Sequence, residues 1–199
     1  VFRALTREGG VSLEKVAHFV AGHSLGEYSA LCAAGSFDLP TTAKLLKLRG
    51  QAMQAAVPVG VGAMAALLGA DLQLAEKIAA AAAQGEICTV ANDNDPSQVV
   101  ISGHKGAIER AIEMAREMGA KRAVPLPVSA PFHCPLMQPA ADAMAEALGK
   151  TVIEPPHVPL YANVTATAVA DPTEIERLLV EQVTGMVRWR ESIANLSSS

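Results

Sequence analysis

The stretch that most constrains this chain is Val20-Ala21-Gly22-His23-Ser24-Leu25-Gly26-Glu27. Upstream, residues 15–21 carry Val16, Ala17, Phe19 and Val20, a short apolar run of the kind that makes a buried strand. Downstream, residues 25–34 are rich in helix formers and meet Gly35, a residue suited to the position just past a helix end. Ser24 therefore falls on a strand-to-helix corner with a glycine two positions away on each side. A turn that tight needs small neighbours, and it pushes the serine hydroxyl outward with a helix N-terminus behind it. Such a serine is a candidate nucleophile; the alternative is an ordinary turn serine.

Around this corner, 199 residues suffice for one core with a small inserted unit. The net charge of −4, with no block of like charge, argues against nucleic acid as a partner. No apolar run approaches the roughly 18–20 residues that span a bilayer, and nothing near the start reads as a signal peptide. Cys32, Cys88 and Cys134 are odd in number and widely spaced, which points to reduced thiols and a cytoplasmic location. Residues 1–10 read as the tail of a helix and 197–199 stop mid-pattern, so an internal piece of a longer protein is expected.

Residues 60–127 have a rhythm of their own. Strands are predicted over 62–68, 87–91, 98–102 and 121–128, the last an edge strand because of Pro125 and Pro127. One helix opens at Asp71 and ends at Gly85; another carries Ile108, Ile112 and Ala115 on one face and stops at Gly119. Strand–helix–strand–strand–helix–strand is the split βαβ pattern of a ferredoxin-like unit. Asn92-Asp93-Asn94-Asp95-Pro96 reads as a turn. It lacks the glycine and terminal glutamate of a calcium loop, so no metal site is expected. The flanking parts, 1–59 and 128–199, alternate helices with strands, including a strand over 158–163 and helices over 137–148, 171–183 and 189–196. That alternation predicts a mainly parallel α/β sheet in a discontinuous larger domain.

A helix over 40–56, opened by Asp38 and Pro40, places Leu45, Leu46, Leu48, Ala52, Met53 and Ala56 on one broad arc. Arg49 falls inside that arc. A guanidinium there must snorkel out or meet a carboxylate, either an internal Asp or Glu or the carboxylate of a substrate, which arginine grips with two parallel hydrogen bonds. A serine also needs a base. Of five histidines, His133 in Ser129-Ala130-Pro131-Phe132-His133-Cys134-Pro135 is held on a loop stiffened by two prolines and follows the serine in chain order. His23 is expected to point away from Ser24. A packing role for His133 is the alternative, and Cys134 is a weaker rival nucleophile, since neighbours on a constrained loop point apart. The oxyanion donor would be the Leu25 backbone N–H.

Taken together, Gly22-His23-Ser24-Leu25-Gly26-Glu27-Tyr28-Ser29-Ala30, Leu48-Arg49-Gly50, Val99-Val100-Ile101-Ser102-Gly103 and residues 129–134 resemble the malonyl-CoA:acyl carrier protein transacylases of bacterial fatty-acid synthesis. The resemblance runs over essentially the whole chain. It implies an α/β-hydrolase-like large domain with a ferredoxin-like insertion, and a ping-pong transfer of malonyl from coenzyme A to the phosphopantetheine thiol of acyl carrier protein. In that reading Ser24 carries the ester, His133 is base and then acid, and Arg49 holds the malonyl carboxylate. Leu25 and Phe132 resemble the choices of malonyl-specific relatives, and no cofactor is implied. The family's second oxyanion donor comes from an N-terminal glycine/glutamine loop, and its histidine is accompanied by a glutamine expected in a Gly-Pro-Gly-like segment. Neither has a counterpart in this sequence as read. A serine esterase or thioesterase using Ser24 and His133 is the alternative, and a non-catalytic carrier-docking module is a third reading. Acyl carrier proteins are acidic, so docking calls for a local basic patch, with Arg116, Lys121, Arg122, Arg188 and Arg190 as candidates. A monomer is expected.

Overall fold

The computed structural model describes residues 2–198. After two short helices, α1 (Phe2–Arg7) and α2 (Leu13–Val16), strand β1 (Val20–Ala21) leads into α3 (Gly26–Ala33) and α4 (Leu39–Ala55). Strands β2 (Gly62–Leu68), β3 (Cys88–Asp95), β4 (Gln98–His104) and β5 (Arg122–Pro125) alternate with α5 (Leu72–Ala83) and α6 (Lys105–Ala115). A 3₁₀ turn (Pro135–Met137), α7 (Gln138–Leu148), β6 (Leu160–Tyr161), β7 (Ala168–Val169), α8 (Pro172–Thr184) and α9 (Trp189–Ser198) complete the order.

The helix starts follow their caps. Asp38, Asp71 and Asp171 each accept a hydrogen bond from the backbone N–H three residues on, satisfying a donor the helix leaves open.

Strands β2–β5 form one antiparallel sheet in the order β3-β4-β2-β5. Alternation along it sorts its two faces. Ala65, Leu67, Val99 and Ile101 join Ile78 of α5 and Ile108 of α6 in one apolar core. Met64, Ala66, Ala91 and Val100 face the other way, toward Leu126 and Phe132. β5 is an edge strand, as Pro125 predicts, and it stops there, so Pro127 of the expected 121–128 strand lies beyond it.

The second sheet corrects the expectation of a mainly parallel one. It is mixed and narrow: β1 pairs parallel with β6, β6 antiparallel with β7, and each strand has two residues. Pairing stops where β1 turns into the elbow at Gly22, and where the chain after β6 doubles back, with the Ala162 N–H donating to Thr167 O. The apolar run at 15–21 is correspondingly shorter as a strand than predicted: Val16 ends a helical turn and is largely exposed. Tyr28, Leu31, Leu45, Met53, Met144, Leu160, Ile175 and Leu179 build the core shared by α3, α4, α7, β6 and α8.

The predicted turn at 92–96 is also shorter. β3 continues to Asp95 through two register shifts, and only Pro96 and Ser97 separate it from β4. Its polar residues are satisfied from the far end of the chain. Asn92 bridges to Val187, the Asp93 N–H donates to Val187 O, and Arg190 grips the buried Asp93 carboxylate with two nitrogens.

Candidate active site

The elbow forms as the sequence requires, but its two glycines do different work. A Cβ on Gly22 would lie 2.1 Å from the Gly26 carbonyl, so that position tolerates no side chain; at Gly26 the same atom would meet nothing within 4 Å. Ser24 sits at φ 52° and His133 at φ 58°, both in the left-handed region that non-glycine residues occupy at a cost of about 1–3 kcal/mol. Backbone strain at two residues whose side chains meet marks a site held by its surroundings.

They do meet. Ser24 Oγ lies 2.8 Å from His133 Nε2. The other ring nitrogen, Nδ1, lies 2.8 Å from the Gln182 backbone oxygen, which only accepts. Nδ1 therefore carries the proton, and Nε2 offers its lone pair to the serine hydroxyl. Burial pushes the His133 pKa down to about 4, opposed by the Gln182 carbonyl and reinforced by the charges of Arg49 and His23. The ring is thus neutral at ordinary pH.

Arg49 is 6 % exposed and points at the same oxygen: its Nη2 donates to Ser24 Oγ at 3.0 Å and to Gln182 Oε1 at 2.9 Å. Its carbon Cζ lies 6.0 Å from the centre of the Tyr28 ring, and its Nε has no hydrogen-bond partner among the described residues. Among the described residues no carboxylate forms an ion pair with it. Of the two partners the helix position allowed, the internal one is absent.

Beneath the elbow lies a polar layer that local pattern reading misses. Asn163 accepts the Ser24 N–H through Oδ1 at 2.7 Å and donates through Nδ2 to Gly22 O at 2.9 Å. The fully buried Gln182 donates from Nε2 to Ser24 O at 3.0 Å and to Glu27 Oε2. Glu27, 1 % exposed, accepts the Asn163 N–H on its other oxygen. Burial pushes the Glu27 carboxyl up to about 8 against the pull of those two donors and of Arg49.

Gln182 corrects the expectation that no glutamine would accompany the histidine; it comes from α8, not from a Gly-Pro-Gly-like segment. A signal was present, because Ile175, Leu178, Leu179, Gln182 and Val183 are all buried at helical spacing. A glutamine on a core stripe asks for partners.

The remaining candidates divide. Leu25 and Phe132 line a cleft of about 380 Å³ with Ser24, Arg49 and His133, opposite Met64 and Asn92 of the antiparallel sheet and Leu126 just past its edge strand. His23, expected to point away, lines the same cleft and meets Asn94 Oδ1 at 2.9 Å. The Leu25 N–H, next after the serine, makes no hydrogen bond among the described residues. Cys134 is fully buried, its Sγ lies 3.1 Å from Pro131 O, and burial raises its pKa, all of which disfavour the thiolate a nucleophile needs. Of the five basic candidates, Arg190 is paired with Asp93 and Arg188 with Glu191, whereas Arg116, Lys121 and Arg122 are exposed. No helix among the described residues is long and apolar enough to cross a membrane.

An activated serine beside a neutral base and a buried cation suits acyl transfer with a charged acyl group. Similarity to known proteins runs over the whole of this chain. The malonyl CoA-acyl carrier protein transacylase of Escherichia coli K12 is 43 % identical over 198 residues, covering 100 % of this chain and 63 % of the relative. The crystal structure of an acyl-carrier-protein-S-malonyltransferase from Bartonella henselae superposes with a TM-score of 0.96 at 56 % identity, covering 100 % of this chain and 63 % of that one. A malonyl-transacylase solved in complex with its type II polyketide acyl carrier protein gives a TM-score of 0.94 at 41 % identity, over 99 % of this chain and 62 % of that one. The chain thus spans a little under two thirds of these relatives' length. Residues 12–199 match the acyl transferase domain family, and the chain belongs to that family.

Proposed function

We propose that this chain carries the centre of a malonyl-CoA:acyl carrier protein transacylase, acting in fatty-acid synthesis. The observation that carries the reading is Arg49, a buried cation on the serine oxygen with no carboxylate in ion-pair contact among the described residues. His133 Nε2 takes the Ser24 proton as Oγ attacks the thioester carbonyl of malonyl-CoA, and the Leu25 N–H meets the developing oxyanion. Collapse breaks the carbon–sulfur bond, His133 returns the proton to the coenzyme A thiolate, and malonyl remains as an ester on Ser24. The phosphopantetheine thiol of acyl carrier protein then repeats the sequence in reverse. Arg49 holds the distal carboxylate throughout, while Leu25 and Phe132 shape the cleft. A hydrolase of neutral acyl groups would gain nothing from that cation.

The architecture supports two further readings. The order β3-β4-β2-β5 with α5 and α6 on one face fits a ferredoxin-like insert over 60–127. Residues 1–59 and 128–199 then form the α/β-hydrolase-like part, with the elbow in its place. Carrier protein would dock through Arg116, Lys121 and Arg122, the basic candidates left without an ion pair among the described residues. The protein would work as a monomer in the cytoplasm.

Mixing the chain with malonyl-CoA should add one malonyl group, found by mass spectrometry on the peptide bearing Ser24. Ser24→Ala should reduce that acylation by ~10⁴-fold or more. Label on Cys134, or undiminished label in the variant, would refute the assignment.

A further inference from the structure

The Glu27–Gln182 contact has no part in the chemistry above, yet it is the nearest thing to an answer for the Arg49 charge. A buried guanidinium is ordinarily matched by a carboxylate in direct contact. Here the carboxyl that bears on the guanidinium is one amide group removed: Glu27 accepts from Gln182 Nε2, and Gln182 Oε1 accepts from Arg49 Nη2. The orientation of that amide is fixed at both ends. Its nitrogen faces three acceptors, Glu27 Oε2, Ser24 O and, at 3.4 Å, Asn163 Oδ1, and its oxygen faces the guanidinium, which only donates. Glu27 is itself held by the Asn163 N–H on its second oxygen, so it cannot turn toward Arg49 without abandoning the residue that secures the Ser24 backbone.

We propose that Glu27 and Gln182 are specificity-determining positions: Glu27 locks the Gln182 amide with its neutral oxygen on Arg49, which steadies the cation without supplying a contact carboxylate and so reserves it for a carboxylate at the far end of the acyl group. The proposal rests on the reading of Arg49 as the partner of that carboxylate. It makes acyl selectivity depend on two residues that lie beneath the cleft and outside its lining. Supplying Arg49 with a protein carboxylate would make the substrate compete for it.

Two variants do so. Gln182→Glu puts a carboxylate on Arg49 while sharing one proton with Glu27. The exchange E27Q/Q182E does the same with the amide and carboxylate roles reversed, the new amide nitrogen donating to residue 182 and its oxygen accepting the Asn163 N–H. Gln182→Met is the control: it loses the same donor to Ser24 O without giving Arg49 a charge. The readout is the ratio of second-order rate constants for Ser24 acylation by malonyl-CoA and by acetyl-CoA, followed by intact mass, with Arg49→Ala and wild type alongside. Both carboxylate variants should lower the malonyl-to-acetyl ratio by about tenfold or more, whatever their absolute rates, and Gln182→Met should not. An equal fall in Gln182→Met would make the effect structural and overturn the inference, as would a retained ratio in Gln182→Glu when Arg49→Ala has lost it. A wild type without preference, or an Arg49→Ala variant that keeps it, would instead overturn the reading of Arg49, and this inference with it. If the exchange variant fails to fold, Gln182→Glu decides alone.

Discussion

In the antiparallel sheet the buried positions are filled by apolar residues that alternate along strands and recur along helices, and each meets a neighbour from within residues 62–125: Leu67, Val99 and Ile101 against Ile78 and Ile108. Around the elbow the buried positions include Glu27, Arg49, His133, Asn163 and Gln182. They are joined by side-chain hydrogen bonds between residues 133, 136, 139 and 158 apart in sequence. The first region gains its stability from apolar burial, which is additive and forgiving of shape. The second invests in satisfied polar groups, which contribute little net stability but fix geometry, and which are costly when one partner is lost. The sheet then serves the elbow as a wall: its outward face supplies Met64 and Asn92 to the cleft.

The largest test of this contrast is Arg49→Ala. If the cation is reserved for substrate, kcat/KM for malonyl-CoA should fall by an amount equivalent to ~2–5 kcal/mol, or about thirty-fold to several thousand-fold. Acetyl-CoA, without a distal carboxylate, should lose far less, and the melting temperature should fall only by the modest amount that losing the hydrogen bonds to Gln182 Oε1 and Ser24 Oγ entails, because no internal ion pair is broken. A parallel fall for both thioesters with a lowered melting temperature would place Arg49 with the structural residues and dissolve the contrast.

Ile101→Ala probes the other side. Ile101 is fully buried in β4 between Ala65 and Val90. Truncation removes apolar contacts and leaves a cavity, a change that typically costs ~2–5 kcal/mol. Denaturant unfolding should show that loss, while the malonyl-to-acetyl ratio stays at its wild-type value. A changed ratio would mean that the inner face of the sheet is coupled to the cleft and is more than its support.

The same contrast explains what could be read in advance. Asp38, Asp71 and Asp171 announce their helices because a cap acts within three residues. The helix-strand rhythm of 60–127 is visible because its partners are close in sequence. Ser24 and His133 stand out as candidates through local stiffness, glycines in one case and prolines in the other. Asn163 and Gln182 do not, since their contacts exist only once β6 and α8 are brought under the elbow. The Asn/Asp run at 92–95 differs from its expected turn for a related reason: it looks like a turn until Val187 and Arg190 arrive to satisfy it. The mixed sheet was overestimated because apolar runs longer than the strands surround pairings of only two residues.

The smallest expected effect concerns pH, and it measures how far burial isolates the elbow. If His133 is the base for Ser24, it must be neutral to accept the serine proton, and activity is lost as pH falls through its pKa. An ordinary histidine near 6.5 would be about nine-tenths protonated at pH 5.5. With the His133 pKa pushed down to about 4 by burial and by the Arg49 and His23 charges, kcat/KM should stay level from neutrality through pH 5.5 and fall only on approaching pH 4. The difference at pH 5.5 is about tenfold. The substrate should move this limb. A malonyl carboxylate on Arg49 offsets the guanidinium, which lies one serine oxygen away from the histidine. The limb in kcat should therefore lie at higher pH than the limb in kcat/KM for malonyl-CoA, whereas for acetyl-CoA the two should differ less. Stopped-flow acylation across pH 4–8 with both thioesters measures it. A kcat/KM limb near 6.5 would mean that solvent reaches His133 in the free protein, and that the polar layer under the elbow is less closed than the apolar core beside it.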